Sequence, residues 1–155
     1  MKIRLFSFVL FKITATNEIY TLSLHDALPI YKAFDALKEM RWQPTVRVVP
    51  PYFEDPDYIE ALADSIQDHI AEKEWTPDLV IASFHGLPQR YFDAGDPYHC
   101  QCAKTTRLLR ERLGWSEDKL KLTFQSRFGK EEWLQPYTDK TIEQLAKDGV
   151  KNLAV

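Results

Sequence analysis

The stretch Leu79 to Phe84 reads LVIASF, an almost unbroken apolar run that follows Pro77-Asp78 and leads straight into His85-Gly86-Leu87-Pro88. A strand with one wet face alternates apolar and polar residues. A continuous apolar run instead marks a strand buried on both faces, as in parallel sheets. Parallel neighbours need long crossover connections, usually helices. This segment therefore sets the expectation of alternating strands and helices, with helices on both faces of the sheet.

The flanking chain supplies matching elements. Ala33, Phe34, Leu37 and Met40 have helical spacing ahead of the Trp42-Gln43-Pro44 break, which predicts the tail of a helix. Val46 to Val49, closed by Pro50-Pro51, reads as a strand. Asp55 can cap the next helix and Pro56 suits its first position, while Ile59, Leu62, Ala63, Ile66 and Ile70 line one face. A further helix is expected from about Cys102 to Leu113, with Ala103, Thr106, Leu109 and Leu113 inward and Gly114 as its stop. Leu120, Leu122 and Phe124 alternate as a strand. Thr138 to Asp148 reads as a helix with Ile142, Leu145 and Ala146 inward, and Asn152 to Val155 opens a last strand. The fold class is α/β with a mainly parallel sheet.

The first thirty residues stand apart. Lys2, Arg4 and the apolar Leu5 to Phe11 imitate a secretion signal, but Lys12 interrupts the run and no clean small-x-small cleavage site follows. A buried strand is a second reading. A third is that Glu18 to Ile30, EIYTLSLHDALPI, resembles translated sequencing-adapter DNA, so that residues 1–30 are a non-native segment and 31–155 the evolved part.

Composition narrows function by exclusion. With five glycines in 155 residues and no Gly-rich loop, a GxGxxG or Walker-type nucleotide site is excluded. A net charge of -3 with interleaved acids and bases makes nucleic acid a poor partner. Two cysteines one residue apart are badly placed to bridge each other, which fits a reducing, cytoplasmic setting. No apolar run reaches the roughly 20 residues of a membrane span, so any membrane contact is expected to be peripheral.

Ligands of open parallel sheets bind beyond the carboxyl ends of the strands. Two strands end in polar clusters: Ser83 and His85 with the Gly86-Leu87-Pro88 turn, and Gln125, Ser126 and Arg127. His85 is either a functional imidazole held on a rigid element or a histidine that satisfies a loop carbonyl. A hydrolase nucleophile elbow is disfavoured, because GxSxG is absent. His99, Cys100 and Cys102 are compact candidate soft-metal ligands, but a structural zinc site wants a second pair and the sequence has none. The alternative is a helix entry with two buried thiols; a single cysteine could also serve an iron-sulfur cluster completed elsewhere. Asp93 and Asp96 belong to a turn, with Asp96 available as a cap. Phe92, Phe128, Trp133 and Tyr137 fall on loops near the rim rather than at core spacing; some as ordinary core is the alternative, but several loop aromatics beside a cleft suit a large flat apolar ligand.

These residues together resemble a known family. SFHGLPQRYFDAGDPYHCQCAKTTRLLRERLG, then LTFQSRFGKEEWLQPYTDKTIEQLAKDGVKNLAV, with RVVPPYFEDPDYIEAL ahead of them, are similar to the second half of bacterial ferrochelatases, from about Ala33 to Val155. The resemblance implies a Rossmann-like chelatase domain, incomplete here, and a lyase that inserts ferrous iron into a porphyrin, protoporphyrin IX, in haem biosynthesis. By the same resemblance His85 is the metal-site and catalytic histidine, while Gln125, Ser126, Arg127 and Trp133 line the porphyrin pocket. Fe²⁺ is then a substrate metal. The family's second metal-site residue, a glutamate, would fall beyond Val155, so the chain is expected to be an interior fragment with little activity alone. A cobalt-tetrapyrrole chelatase and a non-catalytic porphyrin- or metal-binding module are the alternatives.

Overall fold

The computed structural model describes residues 4–6, 27–47 and 50–155. The elements run β1 (Arg4–Phe6), α1 (Ala27–Glu39), α2 (Pro56–Ala71), β2 (Leu79–His85), α3 (Gln89–Asp93), α4 (Tyr98–Leu113), β3 (Leu120–Gln125), α5 (Thr138–Lys147) and β4 (Asn152–Ala154). Helix α1 belongs to a smaller unit of residues 11–51, and every other element belongs to the larger unit.

Four strands form one sheet in the order β1-β4-β2-β3, and every pairing is parallel. The LVIASF run is therefore an inner strand. β2 matches β3 residue for residue from Val80↔Leu120 to His85↔Gln125. Alternation along the strands sends Val80, Ala82 and Leu120 to one face, where Ile59, Leu62 and Ala63 of α2 and Leu109 of α4 cover them. Leu79, Ile81 and Leu153 face the other way, onto Leu145 and Ile142 of α5. Helices thus cover both faces, as the apolar run demanded.

Local chemistry sets the helix ends. The Asp55 carboxylate accepts from the amides of Asp57 at 2.9 Å and Tyr58 at 3.3 Å, and Pro56 opens α2. Gly114 ends α4 with φ of 66°, a left-handed conformation that glycine enters without strain. The amino-terminal ends of the strands are tied together. The Asp78 amide donates to the Asn152 carbonyl at 2.8 Å. In return the Asp78 carboxylate accepts from the amides of Asn152 at 2.9 Å and Lys151 at 3.2 Å. The Lys119 ammonium donates to the carbonyls of Pro77 and Asp78. Along the outer edge of β3, Arg110 Nε donates to the Leu120 carbonyl at 2.8 Å and the Phe124 amide to the Pro136 carbonyl at 2.8 Å.

Several expectations change. No strand forms over 45–47, and Val48 and Val49 lie outside the described residues. A short helix α3 ends at Asp93, the first residue of DAGDPY, and α4 begins at Tyr98, a turn before the expected Cys102. The buried residues of α4 are Cys102, Thr105, Thr106 and Leu109, with the expected Leu113 partly buried against the same core. In β3, Thr123 and Phe124 are both buried, because each face of the strand is covered. Of the expectations on the first thirty residues, only 4–6 and 27–30 are described; 4–6 pair with β4 at the sheet edge. Among the described residues no helix is long and apolar enough to cross a membrane.

Candidate functional site

The carboxyl ends of β2 and β3 bring His85 beside Gln125. One residue further on, the Gly86 amide continues the ladder, donating to the Gln125 carbonyl at 2.8 Å. A Cβ at Gly86 would stand 2.9 Å from that carbonyl oxygen and 3.3 Å from Trp133 Cε3, so the approach of the two segments requires glycine or a backbone shift. The turn then zips onto residues 132–134. Pro88 bridges Trp133, the Leu134 amide donates to Leu87 at 2.8 Å, and the Gln89 amide to Glu132 at 2.9 Å. His85 thus leaves a buried strand into a turn anchored on both sides, half-buried itself, with Nδ1 2.7 Å from the Gly86 carbonyl oxygen. One ring nitrogen satisfies a loop carbonyl, and the other has no hydrogen bond among the described residues.

The QSRF segment forms the second side of this rim. Gln125, Ser126 and Arg127 are exposed, and Ser126 has φ of 68°, a left-handed conformation uncommon for a residue with a side chain. Arg127 donates to Asp139 at 2.7 Å, and its guanidinium lies 4.2 Å from the centre of the Tyr137 ring. Burial pushes the Asp139 carboxyl upward, but the Arg127 hydrogen bond and the Lys140 amide outweigh it, so the group is held below the usual carboxylate range. Trp133 is a core residue, 3% exposed, so of the two readings of the loop aromatics it takes the core one. Its indole N–H donates to the Phe128 carbonyl at 3.0 Å, and Phe128 caps it at 4.9 Å between ring centres while staying 69% exposed. A buried indole needs such a partner, and the loop carbonyl provides it.

Behind the rim lies a hydroxyl node that the sequence reading missed. Thr138, first residue of α5, shares hydrogen bonds with Ser83 of β2 at 2.9 Å and Thr123 of β3 at 2.8 Å. Thr123 is fully buried, so its hydroxyl depends on that bond. The node fastens the start of α5 to both strands, next to the Asp139 that holds Arg127. Its signal was available: a hydroxyl residue stands in each of the two strands, and a third opens the helix.

The HCQC stretch does not converge on a point. His99 stacks on Phe124 at 5.4 Å between ring centres and meets Phe92 edge-on at 5.0 Å. Cys100 is exposed and Cys102 is buried, which corrects the expectation of two buried thiols. Burial pushes the Cys102 thiol up to about 11 despite a hydrogen bond with Tyr98. Asp96 accepts from the Tyr98 amide at 2.8 Å, bracing the start of α4, and Asp93 accepts from Gln89 at 3.0 Å. No group of three or more His, Cys, Asp or Glu side chains among the described residues is arranged to hold a metal ion.

The chain matches the family model Ferrochelatase over residues 27–155. It is 67% identical over 124 residues to a ferrochelatase of Rhizobium meliloti, covering 80% of this chain and 37% of the relative. Identity is 68% to one from Allorhizobium ampelinum and 64% to one from Nitrobacter hamburgensis, each over 80% of this chain and 36% of the relative. The chain thus spans little more than a third of the length of these curated relatives. On the family match and these identities, the chain belongs to the ferrochelatase family.

Proposed function

We propose that this chain forms one wall of a site that inserts ferrous iron into a porphyrin, protoporphyrin IX, to make haem, a lyase reaction. The observation that carries the reading is His85 at the mouth of β2, with one ring nitrogen occupied by the turn and the other unbonded among the described residues. Metallation replaces two pyrrole N–H protons by one Fe²⁺ ion and strips water from the ion. An imidazole suits both tasks, as a ligand for Fe²⁺ and as a proton acceptor near neutral pH. Gln125, Ser126 and Arg127 offer polar contacts to the macrocycle, and exposed Phe128, seated on Trp133, offers an apolar one. The relatives are far longer, so the chain alone is expected to turn over little.

The experiment is a Soret titration of the chain with protoporphyrin IX, with and without His85→Ala, beside a metallation assay. Porphyrin binding that survives the substitution, with residual metallation falling about 10²–10⁴-fold, supports the assignment. Absence of any Soret change overturns the reading, and substantial turnover by the chain itself overturns the expectation of low activity. A non-catalytic porphyrin-binding module is the second reading, favoured by the lack of a three-residue metal-binding group among the described residues. Its mark is porphyrin binding with metallation indifferent to His85.

The remaining assignments are part of the same proposal. Function is assigned to residues 31–155 and none to the first thirty, so porphyrin binding should survive removal of residues 1–30. Two unbridged thiols suit a reducing cytoplasm, with any membrane contact peripheral. An iron-sulfur role is the weaker reading, because exposed Cys100 is one thiolate where such a cluster takes four ligands.

A further inference from the structure

We infer that the Gly86 peptide is a positioning group that fixes the tautomer of His85, holding its proton on Nδ1 and leaving the Nε2 lone pair as the only reactive nitrogen. The inference rests on the reading of His85 as the reactive imidazole and adds which atom reacts and what aims it. Nδ1 lies 2.7 Å from the Gly86 carbonyl oxygen. A carbonyl only accepts, so Nδ1 must carry the hydrogen, and in the neutral ring Nε2 is then bare. The carbonyl itself is well anchored. The amide of the same glycine donates to Gln125 at 2.8 Å, and the space a Cβ would take is closed by Gln125 and Trp133. The orientation of the imidazole is therefore set by the pairing of β2 with β3, carried one residue past the strands.

Two consequences follow from a carbonyl partner in place of a carboxylate. It fixes the tautomer without adding a negative charge that would compete for an incoming cation. It also serves both protonation states: when Nε2 takes a proton, the Nδ1–H bond persists and strengthens, since its donor becomes charged. The ring needs no flip between accepting one proton and the next.

The test is nitrogen NMR of the labelled wild-type chain, about two units above the ordinary imidazole value of about 6.5. Loss of one of the four histidine signal sets in His85→Gln assigns the residue. The expected result is a protonated Nδ1, an unprotonated Nε2, and an exchange-protected Nδ1–H with dipolar contacts to Gly86. A dominant Nε2–H tautomer, or an Nδ1–H exchanging as freely as in solvent, overturns the inference. Zn²⁺ alone is then added as a probe. Perturbation at Nε2 with Nδ1–H retained supports the assignment, and displacement of the Nδ1 proton overturns it. If Zn²⁺ fails to reach the ring while the Nδ1–H tautomer stands, the chelatase reading loses support and the tautomer assignment does not.

Discussion

The two ends of the parallel sheet are built on opposite principles. At the amino-terminal rim, Asp78, Lys119 and Asn152 turn their polar groups onto one another, so the strand ends are closed. At the carboxyl-terminal rim, Gln125, Ser126 and Arg127 are exposed and His85 keeps a nitrogen without a hydrogen bond among the described residues. Two strands, β2 and β3, join both rims, and one apolar core carries them. What differs is how the polar groups are used: they bond to one another at the first rim, whereas at the second Arg127 is tied down by Asp139 and its neighbours stay exposed. The candidate site thus lies at the rim whose polar groups are less engaged among the described residues.

The comparison breaks most completely through the core that both rims share. Phe124 is buried, touches Phe84 and His99, and lies directly before Gln125. Phe124→Ala is expected to cost about 3–5 kcal/mol, read from urea unfolding followed by circular dichroism. A cost below about 1 kcal/mol would mean the rim does not depend on this core. Thr138→Val is the next largest. It strands the buried Thr123 hydroxyl and frees the start of α5, for about 1–3 kcal/mol in the same measurement. It should also speed amide exchange around Arg127 and Asp139 while leaving Asn152 protected; equal loosening at both rims would show that the node is not local.

Acid should separate the rims further. The amides of Asn152 and Lys151 hold the Asp78 carboxyl below the usual carboxylate range. A depressed native value means the contribution is complete above the unfolded carboxylate value of about 3.9 and is lost as pH falls through the native one. The unfolding midpoint should therefore drop with acid, and the drop should be shallower in Asp78→Asn. An unchanged slope would remove Asp78 from the account of the closed rim. The smallest effect is expected at the site itself. His85→Ala should move stability by no more than about 0.5 kcal/mol while abolishing Zn²⁺ binding at that position. A large loss of stability would make His85 a structural residue.

Much of this was legible in the residues. The run LVIASF, the Asp55-Pro56 start of α2, the Gly114 stop and the β3 and α5 segments are strong local signals, and the structure places all of them as expected. The rim that carries His85 followed from topology, since strand ends of a parallel sheet share a side. What escaped was decided by distant contacts. Nothing near Trp133 in sequence announces that it will be buried against Gly86, because the two segments meet only once the turn after β2 pairs with residues 132–134. Of the strand expected over Val46–Val49, the described part, Val46 and Arg47, is not strand, because β-branched propensity yields to context. The hydroxyl node needed the register of β2 against β3, which neither strand specifies alone.

The outer edge of β3 has a consequence of another kind. An unpaired strand edge is a template on which a second molecule can add a strand, the first step of sheet-mediated aggregation. Here the Leu120 carbonyl is taken by Arg110 and the Phe124 amide by Pro136, near the two ends of a six-residue strand. Too little ladder is left for an incoming chain to grip. The loop that shapes the candidate site thereby also acts as a guard against self-assembly, so substitutions that loosen residues 126–137 put colloidal stability at risk along with recognition.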